Sequence, residues 1–169
     1  MTAPIIPYDE RPYRPCVGIF LINGNGLVFA GRRIDSRAEA WQMPQGGIDL
    51  GETTREACLR EMEEEIGTCK ATVLHEIEEW LTYDIPMALA ERLWHGQYRG
   101  QKQKWMLLRY NGADAEINIE TAEPEFCEWK WLSPDRLIDL AVPFKRDVYR
   151  HVLTVFKPHI DQAQVITAK

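Results

Sequence analysis

Gly46-Gly47-Ile48-Asp49-Leu50-Gly51-Glu52-Thr53-Thr54-Arg55-Glu56-Ala57-Cys58-Leu59-Arg60-Glu61-Met62-Glu63-Glu64-Glu65-Ile66-Gly67-Thr68 is the stretch that decides how this chain is read. Thr53 followed by Glu56 forms a capping box, and Gly67 stands where a helix C-cap belongs, so a helix is predicted over 52–66. Cys58, Met62 and Ile66 follow one another at intervals of four and, with Leu59, make a stripe for burial. Glu61, Glu64 and Glu65 share an arc of roughly 100° beside that stripe, while Glu63 projects away. Like charges so placed repel, and they sit near the helix C-terminus, where the macrodipole disfavours anions. The arrangement opposes stability unless cations fill it, and hard carboxylate oxygens select Mg²⁺ or Mn²⁺. A solvated acidic helix face is the ordinary explanation of such a charge run, so the flanking residues have to decide.

Outward from the helix, Cys16 to Ile22 reads as a strand, Asn23-Gly24-Asn25-Gly26 as a turn and Leu27 to Gly31 as the returning strand. A polar loop over 32–40 leads to Trp41-Gln42-Met43-Pro44, an extended piece broken by Pro44 and the glycine pair. Beyond the helix, 71–80, 105–110 and 128–132 read as strands, and 82–100 as a long irregular or partly helical insertion. A closing amphipathic helix is predicted over 143–155. This pattern predicts one α/β domain over 1–169, with an extended arm over 1–12 and a flexible tail over 158–169.

The 169 residues, 45% hydrophobic and 27% charged, suit a globular protein with a proper core. A net charge of -6 argues against nonspecific coating of nucleic acid, without excluding a basic pocket beside an acidic site. Cys16, Cys58, Cys69 and Cys127 form no CxxC pair and read as reduced thiols. The four histidines make no metal-binding pair, which disfavours a His/Cys zinc centre. Proline-rich residues 1–15 are no signal peptide, and no run approaches a membrane span. A cytoplasmic protein, with the monomer favoured, is the expectation.

The spacing Gly46-x5-Glu52-x7-Arg60-Glu61-x2-Glu64-Glu65-x-Gly67 resembles the Nudix box, the signature of hydrolases that cut nucleoside diphosphates linked to another group. At about one in fifteen per letter, chance agreement of its seven fixed letters is on the order of one in a hundred million. Thr68 departs from the aliphatic residue usual at the last position, which bears on local packing and not on the ligands. The resemblance implies a Nudix-type α/β/α sandwich with a mixed, curved sheet between helices. It implies divalent-metal catalysis, with Mg²⁺ first and Mn²⁺ or Zn²⁺ as alternatives. The metal set would be the Gly46 carbonyl, Glu61, Glu64, Glu65 and a loop carboxylate, Glu125. Glu64, Glu65 or Glu125 would serve as general base. Arg60, grouped with the catalytic residues, reads with Glu52 as a loop-to-helix brace that also offsets repulsion beside Glu61.

Further segments resemble one branch of that family: Tyr13-Arg14-Pro15, Trp41-Gln42-Met43-Pro44-Gln45, Gly100-Gln101-Lys102-Gln103-Lys104-Trp105, Pro124-Glu125-Phe126, Trp129-Lys130-Trp131 and Phe144-Lys145-Arg146-Asp147-Val148-Tyr149. The branch holds bacterial RNA 5′-pyrophosphohydrolases and similar dinucleoside polyphosphate hydrolases. It implies 5′-triphosphorylated RNA as substrate, or else a dinucleoside polyphosphate, to which the insertion with Leu93-Trp94-His95-Gly96 leans. Arg14, Arg32, Arg33, Lys104 and Lys145 become candidate cations for the phosphate chain. Phe144 becomes a base-stacking platform, and Gln45, Tyr83 and Gln101 candidates along the groove. A non-catalytic nucleotide-binding module is the alternative of another class. It would be expected to lose the box carboxylates, all of which are present.

Overall fold

A computed structural model describes residues 5–36 and 39–167. In chain order the strands are β1 (Tyr13–Ile22), β2 (Val28–Arg33), β3 (Trp41–Gln42), β4 (Gln45–Gly47), β5 (Ala71–Glu76), β6 (Leu81–Asp84), β7 (Gly100–Tyr110) and β8 (Phe126–Leu132). The helices are α1 (Thr54–Ile66), the single turn α2 (Met87–Ala90), α3 (Pro134–Leu140) and α4 (Arg146–Thr167). All eight strands join one mixed sheet with the path β3-β2-β1-β7-β5. β4 adds to β1, β6 to β7 and β8 to β2. The β1–β7 pair is parallel from Tyr13↔Gly100 to Ile22↔Arg109, and the other pairs are antiparallel.

Strand alternation sorts the core into two layers. Val17, Ile19 and Leu21 of β1, with Met106 and Leu108 of β7, pack under Cys58, Met62 and Ile66 of α1. Phe20, Ile22, Trp105 and Leu107 point the other way, onto Val152, Phe156 and Ile160 of α4 and Leu137 of α3. The result is the expected α/β/α sandwich. Among the described residues, no helix is long and apolar enough to cross a membrane.

The caps expected for α1 hold at both ends, although the helix begins at Thr54 and not at Glu52. Thr53 and Glu56 exchange the two bonds of the capping box, and Gly67 takes the left-handed conformation at φ 76°. Other boundaries differ. The run expected as one strand to Trp80 stops at Glu76, and the chain resumes as β6, which opens the segment expected to be irregular. β7 begins at Gly100 and not at Trp105, because its Gln-Lys alternation is strand alternation. α3 was not expected, although Ser133-Pro134 is an ordinary helix start. The last helix runs to Thr167, past Val155 and through Pro158. Buried Ile160 and Ala163 and a 2.7 Å bond from the Gln164 side chain to the Asn25 carbonyl hold what was expected to be a free tail. Their packing offsets an internal proline that costs a helix about 3 kcal/mol. Residues 1–4 of the expected arm lie outside the described part. Of the rest, Ile5 and Ile6 stay exposed, but Tyr8–Glu10 forms a 3₁₀ turn held in place as the Tyr8 hydroxyl donates to the Ile85 carbonyl at 2.6 Å.

Candidate active site

Three segments converge on the carboxylates of α1. β4 pairs with β1 through Cys16↔Gly47 and Val17↔Gly46, which lays the glycine backbone against the helix. A β-carbon at Gly46 would overlap the Glu61 carboxyl group, so only glycine lets main chain approach that side chain. The main-chain N–H of Gln45 donates to Glu65 at 3.2 Å. The loop before β8 brings up Glu125, tied by a bond from the Ile34 N–H to the Glu125 carbonyl at 3.0 Å.

Arg60 braces this assembly. Its Nε and Nη2 hold both oxygens of Glu52 at 2.7 and 2.8 Å, and Nη2 also reaches the Gly47 carbonyl at 2.8 Å. Nη1 turns to Glu61 at 2.8 Å and Glu64 at 3.3 Å. All five donors of the guanidinium are thereby engaged, and none is left for a substrate. Arg60 acts through the loop and the carboxylates it holds.

The three glutamates differ in environment. Glu65 is 5% exposed, and burial raises its carboxyl pKa well above the usual range, reinforced by Glu61 and Glu125. Burial also raises Glu61, opposed by its bond to Arg60. The side chain of Glu64 is 58% exposed. Among the described residues, no three His, Cys, Asp or Glu side chains form a ready-made ligand set, and Arg60 occupies the oxygens that would have to turn. The donor chemistry nevertheless fits a hard cation. Burial and two like neighbours disfavour the Glu65 carboxylate more than one main-chain N–H and the charge of Lys145 relieve it, and oxygen donors are what Mg²⁺ and Mn²⁺ accept.

The carboxylates open onto a cleft of about 540 Å³. Arg14, Arg33, Gln45, Tyr83, Gln101, Phe144 and Lys145 all line it, together with Gly46, Glu61, Glu64, Glu65 and Glu125. Lys145 is 6% exposed and donates to the Gln42 side chain at 2.8 Å. Burial, aided by the charge of Arg33, lowers its pKa to about 7. Arg33 grips Asp35 at 2.8 and 2.6 Å and stands 3.8 Å from Glu125. The Phe144 and Tyr83 rings lie 5.9 Å apart.

Two candidates fall outside. Arg32 pairs with Glu128 across β2 and β8 at 3.1 Å and does not line the cleft. Lys104 points from the opposite face of β7, its ammonium over the Trp80 ring at 5.2 Å. Strand alternation explains both, because neighbours along a strand cannot share a face. The cleft also holds Trp94, to which the sequence reading gave no role. Trp94 and His95 both adopt left-handed backbone, at φ 48° and 55°, a conformation costing about 1–3 kcal/mol per non-glycine residue. The Arg14 guanidinium lies 5.3 Å from the indole. Nothing in local sequence marks that contact, since it joins β1 to the insertion.

A family model described as NUDIX domain matches residues 12–152. The chain belongs to the NUDIX family. That match spans both faces of the sheet as well as the α1 motif. Among curated relatives, the RNA pyrophosphohydrolase of Roseobacter denitrificans is 54% identical over 151 residues, 88% of this chain and 94% of that protein. The RNA pyrophosphohydrolase of Rhodospirillum rubrum is 57% identical over 142 residues, 84% of this chain and 86% of that protein. Among solved structures, the E. coli dihydroneopterin triphosphate pyrophosphohydrolase superposes with a TM-score of 0.63 at 19% identity, covering 83% of this chain and 97% of that one. A C. elegans Ap4A hydrolase binary complex gives 0.60 at 19% identity, covering 85% of this chain and 98% of that one. At such identities the NUDIX likeness speaks for the fold alone.

Proposed function

We propose that this NUDIX protein is a divalent-metal-dependent RNA 5′-pyrophosphohydrolase, which takes a 5′-triphosphate end to a 5′-monophosphate and releases pyrophosphate. The observation that carries this reading is the buried Glu65, set between Glu61 and Glu125 against the Gln45-Gly46 main chain, at one end of a cleft that also holds Arg14, Arg33 and Lys145. An acidic centre next to a cationic wall suits a metal–polyphosphate substrate. The high identity to RNA pyrophosphohydrolases, over most of both chains, supports RNA as that substrate.

Bound Mg²⁺ or Mn²⁺ would neutralise phosphoryl oxygens and acidify water for in-line attack on phosphorus. Glu61, Glu64, Glu65 and Glu125, with the Gly46 carbonyl, would hold it. Exposed Glu64 or Glu125 would take the proton of the attacking water as its oxygen bonds to phosphorus and the anhydride P–O bond breaks. Arg14, Arg33 and Lys145 would orient the phosphate chain, and Phe144 would stack on the first base.

Trp94 supports a second reading, a dinucleoside polyphosphate hydrolase, because it gives the cleft an aromatic wall besides Phe144. Comparison of kcat/KM on 5′-triphosphorylated RNA and on diadenosine tetraphosphate, with products identified, tests the two. A preference for the dinucleotide would displace the RNA reading, and no turnover of either with Mg²⁺ would displace both.

A further inference from the structure

Three glutamines, Gln45, Gln101 and Gln103, meet on the cleft side of β4 and β7, and the buried end of their network is an indole. The Trp105 Nε1–H donates to Gln103 Oε1 at 3.1 Å, and both side chains are fully buried. Gln103 Nε2 in turn donates to Gln101 Oε1 at 2.9 Å and to Gln45 Oε1 at 3.1 Å. Gln45 Nε2 stands 3.4 Å from the same Gln101 oxygen.

An indole N–H is only ever a donor, whereas a carboxamide can turn either end outward. With Trp105 fixed in the core, Gln103 must present oxygen to it, so its NH₂ faces Gln101 and Gln45. Those two must then answer with oxygen. Reversing any one of them would set donor against donor or oxygen against oxygen inside a buried network, where an unmatched polar group costs most. The far end of Gln101 is therefore its NH₂. Among the described residues that nitrogen has no hydrogen-bond acceptor, and the side chain lines the cleft. Register places Gln101 beside Arg14 across the parallel β1–β7 pair.

We propose that Trp105 and Gln103 are positioning residues that set the polarity of the cleft wall, so that the Gln101 carboxamide offers its NH₂ to a phosphoryl oxygen of the substrate. This rests on the polyphosphate reading above. A rigid donor at that point favours an anion and disfavours any group that must itself donate. The wall thus selects for phosphate by geometry as well as by charge.

Two measurements test it. In the unliganded protein, the side-chain NH₂ hydrogens of Gln103 are expected to exchange with solvent at least about tenfold more slowly than those of Gln101, by ¹⁵N NMR. The reverse order would overturn the proposal. In kinetics with Mg²⁺ and 5′-triphosphorylated RNA, Gln103→Met keeps an acceptor for the indole but deletes both donors. It is expected to lower kcat/KM about tenfold, as is Gln101→Leu, and the double variant should lose little more than either. Independent losses that multiply, or near-normal turnover by Gln103→Met, would equally overturn it. Should Gln103→Met fail to fold, or the wild-type protein fail to turn over RNA, the exchange order still tests whether the Gln101 NH₂ is the one that opens to the cleft. The second of those failures would count against the substrate reading instead.

Discussion

Arg60 holds Glu52 through two parallel hydrogen bonds, at 2.7 and 2.8 Å, and so clamps the loop after Gly47 onto the middle of α1. The same guanidinium bonds Glu61 and the Gly47 carbonyl, which makes one side chain the hinge between loop geometry and carboxylate geometry. The brace has measurable consequences.

Arg60→Lys keeps the charge but not the fork, so Tm should fall by several degrees, for a loss of about 1–3 kcal/mol. The bond to Arg60 also lowers the Glu52 carboxyl to about 2. A carboxylate depressed in the folded state stabilises above its unfolded value of about 4.3, and that contribution disappears as pH falls through about 2. The Tm gap between wild type and Glu52→Gln should accordingly be constant above about pH 5 and close toward pH 2. A gap that ignores pH would show that Arg60 does not hold Glu52 in solution.

Glu65→Gln removes a buried carboxylate that burial, Glu61 and Glu125 disfavour more than the Gln45 N–H and Lys145 relieve it. In EDTA the variant should therefore melt above wild type, by an amount set by about 1–3 kcal/mol. Saturating Mg²⁺ should reverse the ranking, because ligand binding stabilises only the protein that binds it. Thermal melts with and without Mg²⁺ decide this, and an unchanged ranking would show that Glu65 is no metal ligand. Glu64→Gln, at an exposed position, should keep the wild-type Tm in EDTA while turnover drops at least about a hundredfold.

Lys145 is buried, with a pKa lowered to about 7 from the ordinary lysine value. The unfolded chain then binds a proton more readily between about pH 7 and 10.4, so the folded state loses stability as pH falls through that window. Lys145→Met should be more stable than wild type at pH 7, with the gap narrowing toward pH 10. Its kcat/KM on 5′-triphosphorylated RNA should fall about tenfold or more. Full activity in the variant would take Lys145 out of the site.

Phe144→Ala should raise KM on RNA by about five- to a hundredfold, the usual worth of one base stacked on an aromatic ring. Lys104→Ala and Arg32→Ala serve as the contrast, since both cations lie outside the cleft. Their kcat/KM should stay within about twofold of wild type. A large loss in either would mean that the substrate extends over the far face of the sheet.

Residues close in sequence determined the carboxylate-bearing helix by themselves: the Thr53 and Glu56 cap, the Cys58-Met62-Ile66 stripe and the Glu61, Glu64, Glu65 arc are all set by capping and helical periodicity. The α/β class was legible too, because strand alternation and turn residues are local signals, whereas the sandwich arrangement came from the family resemblance. Tertiary structure alone decided which cations share the cleft, since Arg33 and Arg32 are neighbours yet only one lines it, and the sheet's pleat makes that choice. It also decided that Arg14 lies against Trp94 and that Trp105 orders the glutamines, for these contacts join segments far apart along the chain. Periodicity places a side chain on a face, but only the packing of other segments determines what that face meets.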